Sequence, residues 1–212
     1  MNTKLRSYQE GCVAAHALDL IGDRWSLLVV RELMLGAKRF GAIKAGLPGV
    51  ATNILTDRLA VLEAAGVLTH QTLPPPANAP VYALTTAGEG LREVIDALCR
   101  WGVRQPGHDP RQWISPTALM LSMRCFHTPG AALTAGFTLG PEVFTVTTGP
   151  VYRITRDDPA AAPLRFTAPP NRMAAAVYGP ITLAQTIRFD LVAFEGDPAA
   201  GQDFLGQFAL PI

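Results

Sequence analysis

Residues 49–66 read GVATNILTDRLAVLEAAG, and this stretch decides the fold. Pro48, just before it, cannot donate a hydrogen bond inside a helix. Thr52 or Asn53 can cap a first turn with a side-chain oxygen. Leu55, Leu59 and Leu62 then recur at helical spacing, and Gly66 stops the run. The other face carries Thr52, Asn53, Thr56, Asp57 and Ala60, without the Lys/Glu ladder of an ordinary surface helix. Short hydroxyl and amide groups suit close approach to base edges and phosphates in a major groove. Taken alone these residues favour a plain amphipathic helix over a core, and it is the neighbouring segments that reverse this.

Upstream, Phe40–Ala45 has the length of one short helix, and Leu47-Pro48-Gly49 forms a tight turn. Two short helices joined by a Pro-Gly turn make a helix-turn-helix pattern. Arg24–Leu35, with Asp23 as its cap, is apolar nearly all round except for Ser26, Arg31 and Glu32, the mark of a central buried helix. Before it, Tyr8–Ile21 is predicted as a first helix with Val13, Ala14, Ala17, Leu18 and Ile21 on one stripe. Downstream, Val67–Leu73 and Val81–Leu84 flank the Pro-rich tip 74–80 and are predicted as a hairpin, a wing in this position. Thr86 then opens a helix with Glu89 three residues on, a capping-box spacing. Its stripe of Leu91, Val94, Ile95, Leu98 and Trp101 is too apolar to hang free and calls for a partner, either its own domain or a second subunit.

Gly102–Pro116 is rich in Pro, Gly and charge and reads as a boundary. The expected organisation is therefore 1–104, a linker 105–116, and a second domain 117–212. Helical spacing returns over 118–126, and from Gly136 the period falls to two. Phe137–Leu139, Val143–Thr147, Val151–Thr155, Leu164–Ala168 and Ile187–Phe194 are predicted strands, with helices over Asn171–Tyr178 and Pro198–Phe208. The second domain is thus expected to be α+β.

Composition narrows the function classes. With 49% hydrophobic and 17% charged residues the chain is globular rather than disordered. The net charge of +1 gives no global basic field, although all three lysines (Lys4, Lys38, Lys44) precede residue 104. Met1–Glu10 is polar and lacks the apolar segment of a signal peptide, and no apolar run reaches the length of a membrane span. Cys12, Cys99 and Cys125 are too few for a disulfide framework. A bacterial-type cytoplasmic protein with reduced thiols and no membrane partner is expected. No Ser-His-Asp order, phosphate-binding Gly loop or paired-carboxylate motif occurs, and the Cys125/His127 pair has no further ligands nearby. The expectation is a non-enzyme without cofactor or metal.

The order helix, buried helix, helix-turn-helix, wing, closing helix resembles the HxlR-type winged-helix transcription regulators over residues 8–104. The match is carried by CVAAHALDLIGDRW (12–25), LLVVRELMLGAKRF, LPGVATNILTDRLAVLEAAGVL, VYALTTAGEGL and Trp101. The resemblance implies a homodimer on double-stranded DNA, joined through the first and last helices of the domain. It makes Thr52, Asn53 and Thr56 candidate base or phosphate contacts, and Lys38, Arg39 and Lys44 candidate backbone contacts. Arg58 can reach a phosphate or pair with a carboxylate of the protein. Cys12 occupies the place of a cysteine that senses oxidants or electrophiles in many such regulators, with Arg6 and His16 as possible neighbours. The family's following proline is Val13 here, and a buried thiol at a dimer contact is the other reading. Family wings usually carry cations, whereas 59–91 has no Lys or Arg.

Residues 113–212 resemble a sterol carrier protein domain through LRFTAPPNRMAAAVYG and FDLVAFEGDPAAGQDFLGQFALP. That resemblance implies an apolar cavity. Met120, Met123, Phe126, Phe137, Phe144, Phe166 and Phe189 are candidate ligand contacts; the same residues also suit a filled core. The overall expectation is a mostly α winged-helix domain followed by an α+β, sterol-carrier-like domain. Such a chain regulates transcription, with a small hydrophobic ligand as effector. A lipid or hydrophobic-ligand carrier that uses its winged helix only to dimerise, and a redox sensor acting through Cys12, are the alternatives.

Overall fold

The computed structural model describes residues 7–211 and divides into two compact units, one ending at Asp96 and one beginning at Ala97. Arg6 and Lys4 lie outside the described residues.

In the first unit, α1 (Val13–Ile21) starts at the first residue of the apolar stripe, five residues later than the helix expected from Tyr8. The cause is local. Asp19 accepts Ser7 Oγ at 2.9 Å and the Tyr8 amide at 2.9 Å, and Gln9 takes a φ of 52°, so the chain turns before it can coil. Then follow α2 (Ser26–Leu33), α3 (Phe40–Ala45) and α4 (Thr52–Ala64). Val29, Val30 and Leu33 of α2 are fully buried, as a nearly all-apolar helix requires. Ile43, Leu55, Leu59 and Leu62 close around them. Each such side chain contributes about 1.5–3 kcal/mol of burial. The cap expected at Thr52 or Asn53 falls instead on Ala51, whose side chain has nothing to offer the helix.

Strands β1 (Leu68–Thr72) and β2 (Pro80–Leu84) pair antiparallel, from Leu68 opposite Leu84 to Thr72 opposite Pro80. Lys38 adds a one-residue bridge to β2, its amide donating to Tyr82 O at 3.0 Å and the Tyr82 amide returning to Lys38 O at 2.9 Å. The closing helix is broken into α5 (Thr86–Glu89) and α6 (Arg92–Gly102). Its cap is Thr85 rather than Thr86: Thr85 Oγ1 accepts the Gly88 amide at 3.2 Å and donates to Gly66 O at 2.6 Å. Gly88 has no alternative, since a Cβ there would lie 2.1 Å from Val67 O.

The second unit holds α7 (Pro116–Cys125), capped by Ser115 Oγ on the Ala118 amide at 3.0 Å. Five strands follow: β3 (Thr134–Leu139), β4 (Glu142–Thr147), β5 (Arg153–Thr155), β6 (Leu164–Thr167) and β7 (Ala193–Glu195). They form one mixed sheet in the order β5-β4-β3-β6-β7, in which β3 and β6 run parallel and the other pairs antiparallel. The crossover into β6 presses a 3-10 turn, Pro159–Ala161, onto Gly136, where a Cβ would meet Pro159 Cβ at 2.5 Å. Helices α8 (Pro170–Tyr178), α9 (Leu183–Arg188) and α10 (Pro198–Leu205) complete the α+β unit. The strand expected over 187–194 is not formed. Thr182 and Gln185 build a capping box that starts α9, and only Ala193–Glu195 remains to pair with β6.

Candidate nucleic-acid interface and a cavity in the second unit

The leucine stripe of α4 turns inward, which leaves Thr52, Asn53, Thr56, Asp57 and Ala60 exposed as its periodicity requires. Ile54, 38% exposed, joins them as an apolar contact that polar patterning alone does not single out. Thr56 Oγ1 donates back to Thr52 O at 3.0 Å, so its methyl faces outward. The first turn of α4 has no acidic residue, and Lys44 Nζ reaches Thr52 Oγ1 across the turn. Free amides, the positive helix end and an ammonium group thus meet at one point, an arrangement that favours anions. Arg39, at the N-cap of α3, is exposed.

Two of the expected cations are engaged elsewhere. Lys38 is 3% exposed, and its ammonium lies 2.9 Å from Glu32 Oε2 inside the unit. It cannot touch a phosphate there; its placement follows from the Tyr82 bridge, which pulls residue 38 into the sheet edge. Arg58 pairs with Asp23 Oδ2 at 3.1 Å, which places it on the carboxylate side of the two readings above. Glu32 and Asp23 are therefore the structural partners of these two cations. A lone carboxylate in the otherwise apolar α2 was the available signal for Glu32. On the wing, His70 stacks on Tyr82 with ring centroids 4.6 Å apart, in the register that puts these two opposite each other.

Cys12 is exposed at the N-cap of α1. The first-turn amides of Ala15 and Ala14 hold its thiol below the ordinary range.

The candidate ligand residues of the second unit separate into three groups. Met120, Met123, Phe137, Phe144 and Phe166 are fully buried and pack the core, Phe137 and Phe166 stacking at 5.2 Å. Phe189 is 58% exposed at the end of α9. Phe126 alone of the seven lines a cavity of about 320 Å³. That cavity is bounded by Cys99 and Gly102 of α6, by Val103 just beyond it, by 108–114, by Ser122 of α7, by Ala174 and Tyr178 of α8, and by Leu210. The segment read as a linker thus forms one of its walls. Ser122 Oγ and Tyr178 Oη are 2.7 Å apart. Burial keeps the Tyr178 hydroxyl protonated far above its usual range. Among the described residues no cluster of His, Cys, Asp and Glu is arranged to hold a metal, and no helix is long and apolar enough to cross a membrane.

The HxlR-like helix-turn-helix family profile matches residues 20–109. The uncharacterized HTH-type transcriptional regulator YvaP of Bacillus subtilis is 31% identical over 103 residues, covering 49% of this chain and 88% of YvaP. The HTH-type transcriptional regulator YodB of the same organism is 34% identical over 85 residues, 40% of this chain and 76% of YodB. The reduced form of YodB has been solved; it aligns with 47% of this chain and all of its own at 31% identity and a TM-score of 0.41. The match to nearly the whole of YvaP, and the helix-turn-helix with its wing, lead to one statement: the chain belongs to the HxlR-like helix-turn-helix family of transcriptional regulators.

Proposed function

We propose that this regulator is a homodimer that binds double-stranded DNA specifically and works in the cytoplasm, without enzymatic activity. The observation that carries the reading is the outward face of α4, where Thr52, Asn53 and Thr56 stand exposed beside Lys44 and the open helix end. Arg39 adds a backbone contact. Lys38 and Arg58 stabilise the unit that presents the helix. The dimer reading draws support from apolar residues left in solvent: Val13 and Leu18 of α1, and Val94, Leu98 and Trp101 of α6, with Trp101 65% exposed. Two symmetric copies call for a pseudo-palindromic operator with half-sites about 34 Å apart or a multiple. Footprinting on the protein's own upstream region tests this. A folded dimer that protects no promoter DNA refutes it.

We further infer that the second unit, in which the sterol-carrier-like pattern is supported by the α+β sheet and its cavity, receives a small hydrophobic effector. Ligand and DNA must then shift each other's affinity by the same factor. A second reading is favoured by Cys12: its exposed, acidified thiol suits oxidant sensing. Cys12→Ser decides it, because an intact oxidant response in that variant removes the idea.

A further inference from the structure

The cavity of the second unit carries chemistry of its own. Its volume of about 320 Å³ lies within the range of small-molecule sites. Its walls are predominantly apolar, from Phe126, Ala174 and Leu210 among others, and none of the residues lining it is Asp, Glu, Lys or Arg. A cationic guest would lose its water and meet no counter-charge, and an anionic one would find only His108 to answer it, so the walls favour a neutral guest. Beside His108, the lining holds the Ser122–Tyr178 hydroxyl pair as a hydrogen-bonding anchor, and its polarity follows from its partners. Ser122 Oγ donates its single proton to Leu119 O at 3.0 Å. The hydroxyl pair 2.7 Å apart must then be closed by Tyr178 donating to Ser122. That leaves the lone pairs of Tyr178 Oη as the acceptor offered to an occupant.

We propose that this cavity binds a neutral, largely apolar small molecule bearing one N–H or O–H donor, which Tyr178 Oη accepts. The site is placed to matter. Cys99 and Gly102 of α6 and the following Val103 line the cavity, while Val94, Leu98 and Trp101 of the same helix are exposed. An occupant therefore bears on the helix that carries part of the proposed dimer surface. This deepens the effector reading above and rests on it only for the coupling to DNA.

The test uses the full chain and two matched fluorophores: N-phenyl-1-naphthylamine, neutral with one N–H, and 8-anilinonaphthalene-1-sulfonate, the same skeleton with a fixed charge. The neutral probe is expected to bind one site per chain at least about tenfold more tightly than the sulfonate. Tyr178→Phe, which keeps the ring, is expected to weaken it about three- to tenfold, and Ala174→Phe to abolish it by filling the space. A measurement free of mutation accompanies these: the neutral probe should slow alkylation of Cys99 by N-ethylmaleimide at least threefold and leave Cys12 unchanged. Equal or tighter binding of the sulfonate, or a Cys99 rate indifferent to saturating probe, overturns the proposal. Probe binding that survives every one of these checks yet is unaltered by operator DNA upholds the cavity and removes the effector reading instead.

Discussion

Lys38 Nζ sits 2.9 Å from Glu32 Oε2, with both side chains closed off from solvent. Glu32 also receives Arg31, whose guanidinium nitrogen is 2.8 Å from Oε1, so one carboxylate holds two cations between α2 and the edge of the wing. Removing one partner of a buried pair leaves an uncompensated charge and costs about 3–5 kcal/mol. Glu32→Ala is expected to show this loss in denaturant unfolding. Lys38→Met should cost less, because Arg31 still answers the carboxylate. The salt dependence of DNA binding should not change in Lys38→Met; a flatter slope at unaltered stability returns Lys38 to the DNA contacts.

The exposed face of α4 predicts the reverse pattern. Asn53→Ala and Thr56→Ala should each remove about 1–3 kcal/mol of discrimination between operator and scrambled DNA if they read bases. Both lie in solvent, so stability should stay within about 0.5 kcal/mol. Arg39→Ala and Lys44→Ala should weaken all sequences alike and lower the log–log salt slope by about one each. Gel shifts over a salt series separate the two sets.

Thr85 joins the end of α4, the wing and α5 through one hydroxyl. Thr85→Ala is expected to cost about 0.5–2 kcal/mol, with Thr85→Ser recovering most of it. Gly88→Ala should be worse than Thr85→Ala, since its Cβ would collide with backbone at Val67 O. Thermal unfolding of the three variants ranks them.

These elements show how much of the fold was legible in the sequence. Phe40–Ala45 could be bounded to the residue because Gly46 and Pro48 punctuate it, and α4 followed from its leucine spacing. The helix cap sits one residue earlier than the Thr86 spacing predicts, because Thr85 and Thr86 are the same residue type and only the Gly66 carbonyl distinguishes them; the third helical position is then Gly88, so no capping box forms and Glu89 pairs with Arg92. The stretch 187–194 alternates like a strand, yet the capping box at Thr182 had already committed its first residues to a helix. Lys38 was misplaced for a different reason: its burial depends on Tyr82, 44 positions away, and no local pattern carries that pairing. In the second unit methionines and phenylalanines announce a core and a cavity in the same terms. The residues that line the opening include a Pro/Gly segment and a helix end that composition marks only as a boundary.

Cys12 predicts a pH dependence. A thiol held below its ordinary pKa is present as thiolate over a larger part of the neutral range. The rate of alkylation at Cys12, followed by mass spectrometry against pH, should reach half its maximum at lower pH than for a cysteine in a flexible peptide. Replacing Val13 by Pro keeps the first-turn amides of Ala14 and Ala15 and should leave this midpoint in place.

Tyr152 offers the opposite case. Its hydroxyl is buried with no hydrogen-bond partner among the described residues, and burial drives its pKa upward. Leaving such a group unsatisfied costs about 1–3 kcal/mol. Tyr152→Phe is therefore expected to raise the melting temperature of the second unit by a few degrees in a calorimetric scan.

The two margins of the mixed sheet, β5 and β7, are only three residues long each and carry a charge at one end, Arg153 and Glu195. Neither presents enough free backbone to template another strand. The interior strand β3 is a different matter: it depends on a parallel neighbour supplied by sequence that comes after the 3-10 turn. Trimming the chain anywhere before Leu164 would uncover that interior rim, six residues long and lined by Phe137. A fragment of this kind should self-associate into insoluble aggregates, so any soluble piece of the second unit has to run on through β6.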